Sequence, residues 1–183
     1  EDEGFSLDYY VSEKDNISHS INDGKLVLTS EYAKNRSWFQ WRWHIKDPAK
    51  RKVNIYLPAS FKGSMDIEIT SGSLVLENFE LSSLIMNFTS GNVDIKNTNV
   101  TSQINSTMTS GDFSLINANA DSLTVSMTSG EILIEDSKIL NNTYLDGTSG
   151  RIKVRNSTFE DLRTDMLSGS IYLNKIVANN VNI

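Results

Sequence analysis

Thr89-Ser90-Gly91-Asn92-Val93-Asp94-Ile95-Lys96-Asn97 is followed 20 residues later by Thr109-Ser110-Gly111-Asp112-Phe113-Ser114-Leu115-Ile116-Asn117 and 19 after that by Thr128-Ser129-Gly130-Glu131-Ile132-Leu133-Ile134-Glu135-Asp136. The Ser-Gly pair also ends at Gly72, Gly150 and Gly169, so six glycines stand 19, 20, 19, 20 and 19 residues apart. A fixed period of this length marks a repeat architecture, in which each unit buries its apolar stripe against the next copy.

Working outward from each glycine, the second residue is Leu74, Val93, Phe113, Ile132, Ile152 or Ile171. The fourth is Leu76, Ile95, Leu115, Ile134, Val154 or Leu173. Between them stand Val75, Asp94, Ser114, Leu133, Lys153 and Tyr172, so the pattern is mostly the period-2 alternation of a strand with one wet face, strand A. The third, fifth and seventh residues before each glycine form a second alternating set, strand B, as in Leu84, Met86 and Phe88 or Leu123, Val125 and Met127. All five methionines (Met65, Met86, Met108, Met127 and Met166) fall in this set, where flexible thioethers fill an uneven interior. Leu81, Val100, Ala120, Ile139, Phe159 and Ala178, ninth after glycine, suggest a short third inward side. Asn78, Asn97, Asn117, Asp136 and Asn156, then Lys175, precede it in one column. Asn and Asp tolerate left-handed backbone, so a stacked turn is expected there.

A unit of 19 or 20 residues with two or three short inward strands cannot bury its own stripe, and stacking in register solves that problem. The expected fold is therefore all-β, a single-domain parallel β-solenoid of six to seven rungs about 4.8 Å apart. Right-handed coiling is expected for parallel crossovers. The corner glycine supplies positive φ or a close approach between rungs, so Ala at Gly111 should destabilise more than Ala at the outward Asn105. Residues 53–57 and 64–70, separated by 58–63, read as a lead-in rung. Residues 1–52 differ: weak alternation over 5–10, 17–20 and 25–30 is broken by the hairpin-type Asn22-Asp23-Gly24. Trp38-Phe39-Gln40-Trp41-Arg42-Trp43-His44 then places Phe39, Trp41 and Trp43 on one strand face. An open solenoid end must be covered, so 1–52 is expected to be an N-terminal β-cap and 53–183 the solenoid.

Composition narrows the chemistry. Seventeen Lys and Arg against 23 Asp and Glu give a net charge of -6, which disfavours a partner held by its phosphate backbone, so no nucleic acid is expected. No run approaches the roughly 18 apolar residues of a membrane span. The acidic start Glu1-Asp2-Glu3 is not signal-like, and the expectation is that a leader or anchor has been removed. The absence of Cys excludes disulfides, thiol catalysis and thiolate metal sites. His19 and His44 have no metal spacing, and neither a metal nor a cofactor is expected.

Four candidates carry chemistry. Asp112 and Glu131 share the first column after glycine and form a possible carboxylate pair for glycan cleavage, with Arg151, Lys153 and Arg155 as sugar-acid ligands. The simpler reading is cross-strand ion pairing, with Glu131 facing Arg151 and Glu135 facing Arg155. Asp146 and Asp165 also share a column, as a cation site or as a pair satisfied by Arg163. The Thr column from Thr70 to Thr148 invites an ice-binding reading, against which stands the plainer one of hydroxyls stacked at a corner. Trp41 and Trp43 either plug the solenoid or stack on sugars, and Lys50, Arg51 and Lys52 form a basic loop suited to an anionic polymer or lipid surface. These five are the expected ligand-binding residues.

The segments VNIYLP (53–58), SMDIEITSG (64–72), TSGNVDIKN (89–97), TSGDFSLIN (109–117) and TSGEILIED (128–136) together resemble the bacterial adhesin-like family of β-strand-repeat domains over 53–183. The resemblance implies a single-domain β-solenoid exported to, or anchored at, the cell envelope, and it supplies no catalytic residue. It leads to the expectation of a non-enzymatic, extracytoplasmic binding or scaffolding module whose partner is an envelope polymer, glycan or envelope protein. The alternatives are a carbohydrate-active enzyme using Asp112 and Glu131, and a structural spacer that self-assembles through 181–183.

Overall fold

Because each Ser-Gly and each Asn column reverses the chain, the strands between them stack on their equivalents one repeat away. The computed structural model describes residues 6–10, 15–22, 25–32, 52–57 and 60–183, and it falls into two compact units, Glu1–Pro58 and Ala59–Ile183. All described elements are strands. In the first unit, β1 (Ser6–Tyr10) pairs antiparallel with β4 (Lys52–Tyr56), and β2 (Asp15–Asn22) pairs antiparallel with β3 (Lys25–Tyr32). The β2–β3 register closes with Asn22 opposite Lys25, and the expected turn residues Asp23 and Gly24 lie outside the described residues.

The second unit is the parallel β-solenoid, about six turns long. Its first turn is β5 (Ser64–Ser71), β6 (Leu74–Glu77) and β7 (Glu80–Leu81), and its second opens with β8 (Ser83–Ser90) and β9 (Val93–Lys96). From there the strands run almost unbroken through the corners, as β10 (Asn99–Ile116), β11 (Asn119–Glu135), β12 (Lys138–Arg155), β13 (Thr158–Asn174) and β14 (Val177–Asn182). Every pairing in this sheet is parallel, and the corner glycines meet in register, Gly111 on Gly130, Gly130 on Gly150 and Gly150 on Gly169.

One sequence expectation is corrected. Residues 53–57 do not form half of a lead-in rung: as β4 they lie antiparallel to β1, from Ser6 opposite Tyr56 to Tyr10 opposite Lys52. The alternation in 53–57 specifies a strand, but no Ser-Gly corner follows within the stretch to turn it onto a parallel neighbour. The solenoid starts at β5, whose Ser64 lies opposite Ser83 of β8.

The core is a continuous stack of the inward columns. Leu84, Met86, Ile95, Leu115, Leu123 and Ile134 are among its fully buried members. Met86, Met108 and Met127 are buried, while Met65 and Met166 pack partly buried against the same cluster. The third inward side is present, with Leu81, Val100, Ala120, Ile139 and Phe159 all buried. Inward strand B positions also hold Ser106, Thr143 and Thr164, whose buried hydroxyls have no hydrogen-bond partner. An unsatisfied buried hydroxyl costs about 1–3 kcal/mol, so these rungs are less stable than apolar ones would be.

The two corners differ in cause. Asn78, Asn97, Asn117, Asp136, Asn156 and Lys175 have φ between 48° and 63°, the left-handed conformation expected of that column. The corner glycines have φ between 123° and 148°. At Gly91, Gly111, Gly130, Gly150 and Gly169 an added Cβ would also collide with the carbonyl oxygen of the glycine one rung earlier. Both reasons for glycine apply there, positive φ and close approach.

Candidate functional site

The stacked strands place equivalent side chains side by side, so every outward column is a potential site. On strand A, Asp112 and Glu131 lie opposite each other in register, as the repeat predicts. Their carboxylates have separate tasks. Asp112 Oδ1 accepts the backbone N–H of Glu131 at 3.1 Å, as Asn92 Oδ1 accepts that of Asp112 at 3.2 Å. This column is a run of side-chain acceptors satisfying the backbone just after the glycine corner. Glu131 receives Arg151 Nη1 at 3.2 Å and Lys153 Nζ at 2.9 Å. Partial burial pushes the Glu131 carboxyl up, but Lys153 and then Arg151 outweigh it and hold the pKa below the usual range. A general acid needs the opposite shift, toward a carboxyl kept protonated. Arg155 reaches Glu135 at 4.0 Å and lies 6.0 Å from the centre of the Tyr172 ring. What these residues do here is pair charges and set register.

On strand B, Asp146 and Asp165 are opposite each other, and Arg163 holds Asp165 through Nε at 3.0 Å and Nη2 at 2.9 Å. Among the described residues no group of three or more His, Asp or Glu could hold a metal ion. Arg163 also stacks over the Tyr144 ring at 5.4 Å. Burial first, then the Asp165 and Asp146 carboxylates, raise the Tyr144 phenol pKa against the opposing pull of Arg163. These two side chains border an outer groove of about 380 Å³ whose other rim is Asn142, Asp161 and Asn180. Asn180 Nδ2 donates to Asp161 Oδ1 at 2.6 Å, and Asn141 Nδ2 to Asp121 Oδ1 at 2.7 Å.

The Thr column does not bond along itself. Two of the serines that follow a Thr make an inter-rung contact instead, Ser110 Oγ donating to Thr89 O at 3.4 Å and Ser149 Oγ to Thr128 O at 3.3 Å. The Thr side chains face outward.

Sequence reasoning missed one column. The seventh residue after glycine, just past the left-handed turn, is buried in Thr98, Ala118, Ser137 and Ser157. Ser137 Oγ donates to Glu135 O at 2.7 Å and Ser157 Oγ to Arg155 O at 2.6 Å. Each also accepts a backbone N–H from the rung before, from Ala118 at 3.2 Å and from Ser137 at 3.1 Å. The available signal was a column of small residues, which an apolar search passes over.

Of the expected ligand-binding residues, Trp41, Trp43, Lys50 and Arg51 lie outside the described residues, as does the rest of the aromatic stretch. Lys52 opens β4 opposite Tyr10. No helix among the described residues is long and apolar enough to cross a membrane.

Comparison with curated proteins finds no match. Comparison with solved structures likewise finds none. A family model does match, and it covers residues 1–52 as well as the 53–183 on which the repeat resemblance rests. With its stacked Ser-Gly corners, three-sided rungs and a match to Toastrack DUF4097 over residues 1–183, the chain belongs to the Toastrack family, a solenoid-fold family of unknown function.

Proposed function

We propose that the chain is a non-enzymatic binding or scaffolding module of the bacterial cell envelope or surface, held outside the cytoplasm. The observation that carries this reading is the state of the carboxylates. Glu131 is gripped by Arg151 and Lys153, and Asp112 is spent on a backbone N–H. What the fold offers a partner is a stiff, ribbed surface of constant cross-section, the use to which solenoids are suited. The envelope assignment rests on the repeat resemblance. Its partner is an envelope polymer, glycan or envelope protein, with Trp41, Trp43, Lys50, Arg51 and Lys52 as the first surface to test.

The test is a screen of the purified chain against immobilised glycans, anionic vesicles and envelope extracts at physiological ionic strength, where weak charge attraction is screened. Saturable binding is expected, and its loss in Trp41→Ala or in the Arg51→Ala, Lys52→Ala double variant would place it on that surface. Turnover of a glycan that disappears in both Asp112→Asn and Glu131→Gln would overturn the non-enzymatic reading in favour of a carbohydrate-active enzyme. A self-assembling spacer is favoured by a separate observation, the exposure of Val177 and Val181 on β14 and of Ile183 after it. Sedimentation that depends on protein concentration and is abolished by Val181→Lys would support it.

A further inference from the structure

The outward faces of strands A and B divide the charge unequally. On strand A, Asp94, Lys96, Asp112, Glu131 and Glu135 stand on three successive rungs. On strand B the same three rungs, Ser83–Ser90, 103–110 and 122–129, contain no charged residue at all. The centre of this neutral area is a grid of six side chains, Asn105, Thr107 and Thr109 on β10 and Thr124, Ser126 and Thr128 on β11. Asn105 lies opposite Thr124 and Thr107 opposite Ser126. Alternate residues along a strand are about 7 Å apart and neighbouring rungs about 4.8 Å, so the grid is regular in both directions.

These six side chains are not used by the fold. None makes a hydrogen bond to another described residue, and Thr107, Thr109 and Thr128 are exposed. Hydroxyls and amides offer donors and acceptors together, and the Thr methyls add small apolar contacts between them. The borders carry the opposite character. Asp66 and Glu68 stand on the rung before the neutral area, and Asp146, then the Arg163–Asp165 pair, on the two rungs after it. A hollow of about 130 Å³ lined by Asn87, Thr89 and Thr107 opens at one border, and the Tyr144 groove lies at the other.

We propose that the strand B face of the solenoid is a binding surface for a neutral polysaccharide laid across the rungs. A polymer of hydroxyls matches a grid of hydroxyls and amides, since each contact is a neutral hydrogen bond and the repeat of the ligand meets the repeat of the rungs. Asp66 and Glu68 at one border and Asp146 at the other disfavour polymers of uronic acid or phosphate, Asp165 being paired with Arg163, so the selection is for uncharged chains. Tyr144 offers a ring edge to a sugar at the end of the grid. Single contacts of this kind are weak, and affinity accumulates along the chain. An ice surface would instead require identical ranks, and this grid mixes Asn, Ser and Thr. The proposal rests on the reading of the chain as a binding module and names the ligand class for a face other than the aromatic and basic stretch.

The test is affinity electrophoresis of the whole chain through gels containing mannan, dextran or hydroxyethylcellulose, with polygalacturonate as the anionic probe. At least one neutral polymer should retard the wild type, to the same extent at low and high salt, and a disaccharide should not compete. Thr107→Glu should weaken that retardation tenfold or more, and the milder Asn105→Ala, Thr124→Ala pair several-fold. Ser114→Glu, outward on strand A, should leave it unchanged. Circular dichroism and the melting temperature confirm that each variant is folded, and the alanine pair carries the test if the glutamate variant is not. Retardation by a neutral polymer that survives both strand B changes overturns the surface. Retardation by polygalacturonate alone overturns the ligand class and leaves the binding-module reading standing. No retardation by any of the four polymers overturns this inference, and the envelope-extract screen then decides the broader reading separately. Thermal hysteresis without retardation would overturn it in favour of an ice-binding face.

Discussion

Each rung turns at two corners where the backbone takes positive φ, and the two are held there by different forces. At the asparagine corner φ is 48° to 63° and the column holds Asp136 and even Lys175, so the constraint is modest and mainly local, with one exposed inter-rung bond from Asn117 Nδ2 to Asn97 Oδ1 at 2.8 Å. At the glycine corner the carbonyl of the preceding rung occupies the place of a Cβ from Gly91 onward, so the constraint comes from stacking and admits no side chain. Gly72 separates the two effects. It has φ of 148°, yet its nearest neighbour to a Cβ is Ile69 Cγ2 at 3.6 Å, an ordinary contact. Positive φ is thus the whole reason for glycine at Gly72, and from Gly91 onward the close approach of the preceding rung is added to it.

The sharpest way to break this comparison is Gly111→Ala, which must push two rungs apart and is expected to cost about 3 kcal/mol or more in denaturant unfolding. A cost below that of Gly72→Ala would refute the stacking argument. Next is Ser137→Ala, beside the asparagine corner, which leaves the buried Ala118 N–H without its acceptor and should cost about 2 kcal/mol. Gly72→Ala meets only the backbone strain and should cost about 1–2 kcal/mol. At the other corner, Asn117→Ala should cost about 1 kcal/mol, and Asn117→Gly only a few tenths, since glycine restores the left-handed turn. Lysine at the same position should cost about as much as alanine, since both carry the Cβ that left-handed backbone disfavours.

The smallest effect is electrostatic and follows the glycine corner. The Glu131 carboxyl has a folded pKa below its unfolded value near 4.5. Its contribution is fully present above that unfolded value and is lost as pH falls through the folded one. Arg151 is about half exposed, at 53%, while Lys153 and Glu131 are exposed by only 24% and 29%, so the term stays below about 1 kcal/mol. Glu131→Gln should be slightly less stable than the wild type at pH 7, and the two stability curves should converge in acid.

The solenoid was legible because its determinants repeat. Twelve strand A positions are apolar at fixed distances from six glycines, and a pattern copied six times outweighs any single ambiguous stretch. The ion pairs were legible for the same reason, since Glu131 and Arg151 sit one period apart. What escaped was non-periodic or chemically quiet. The pairing of β4 with β1 joins segments more than 40 residues apart, and nothing in 53–57 names Ser6–Tyr10 as its partner. The serines at 137 and 157 passed unnoticed because small polar side chains carry no hydrophobic signal, yet they are buried by the corner they satisfy. The neutral strand B grid is invisible along the chain, since it exists only when Asn105 and Thr124 are set side by side.

The in-register stack also has a mechanical consequence. Each turn of 19 or 20 residues adds about 4.8 Å to the length of the solenoid, whereas the same residues drawn out as extended chain span roughly 60 Å. Under tension applied along its axis, the molecule would pay out length rung by rung, more than tenfold per turn released, while the turns behind the break keep their contacts. A short stack of turns at rest thus holds a long length of chain, released in steps of one repeat.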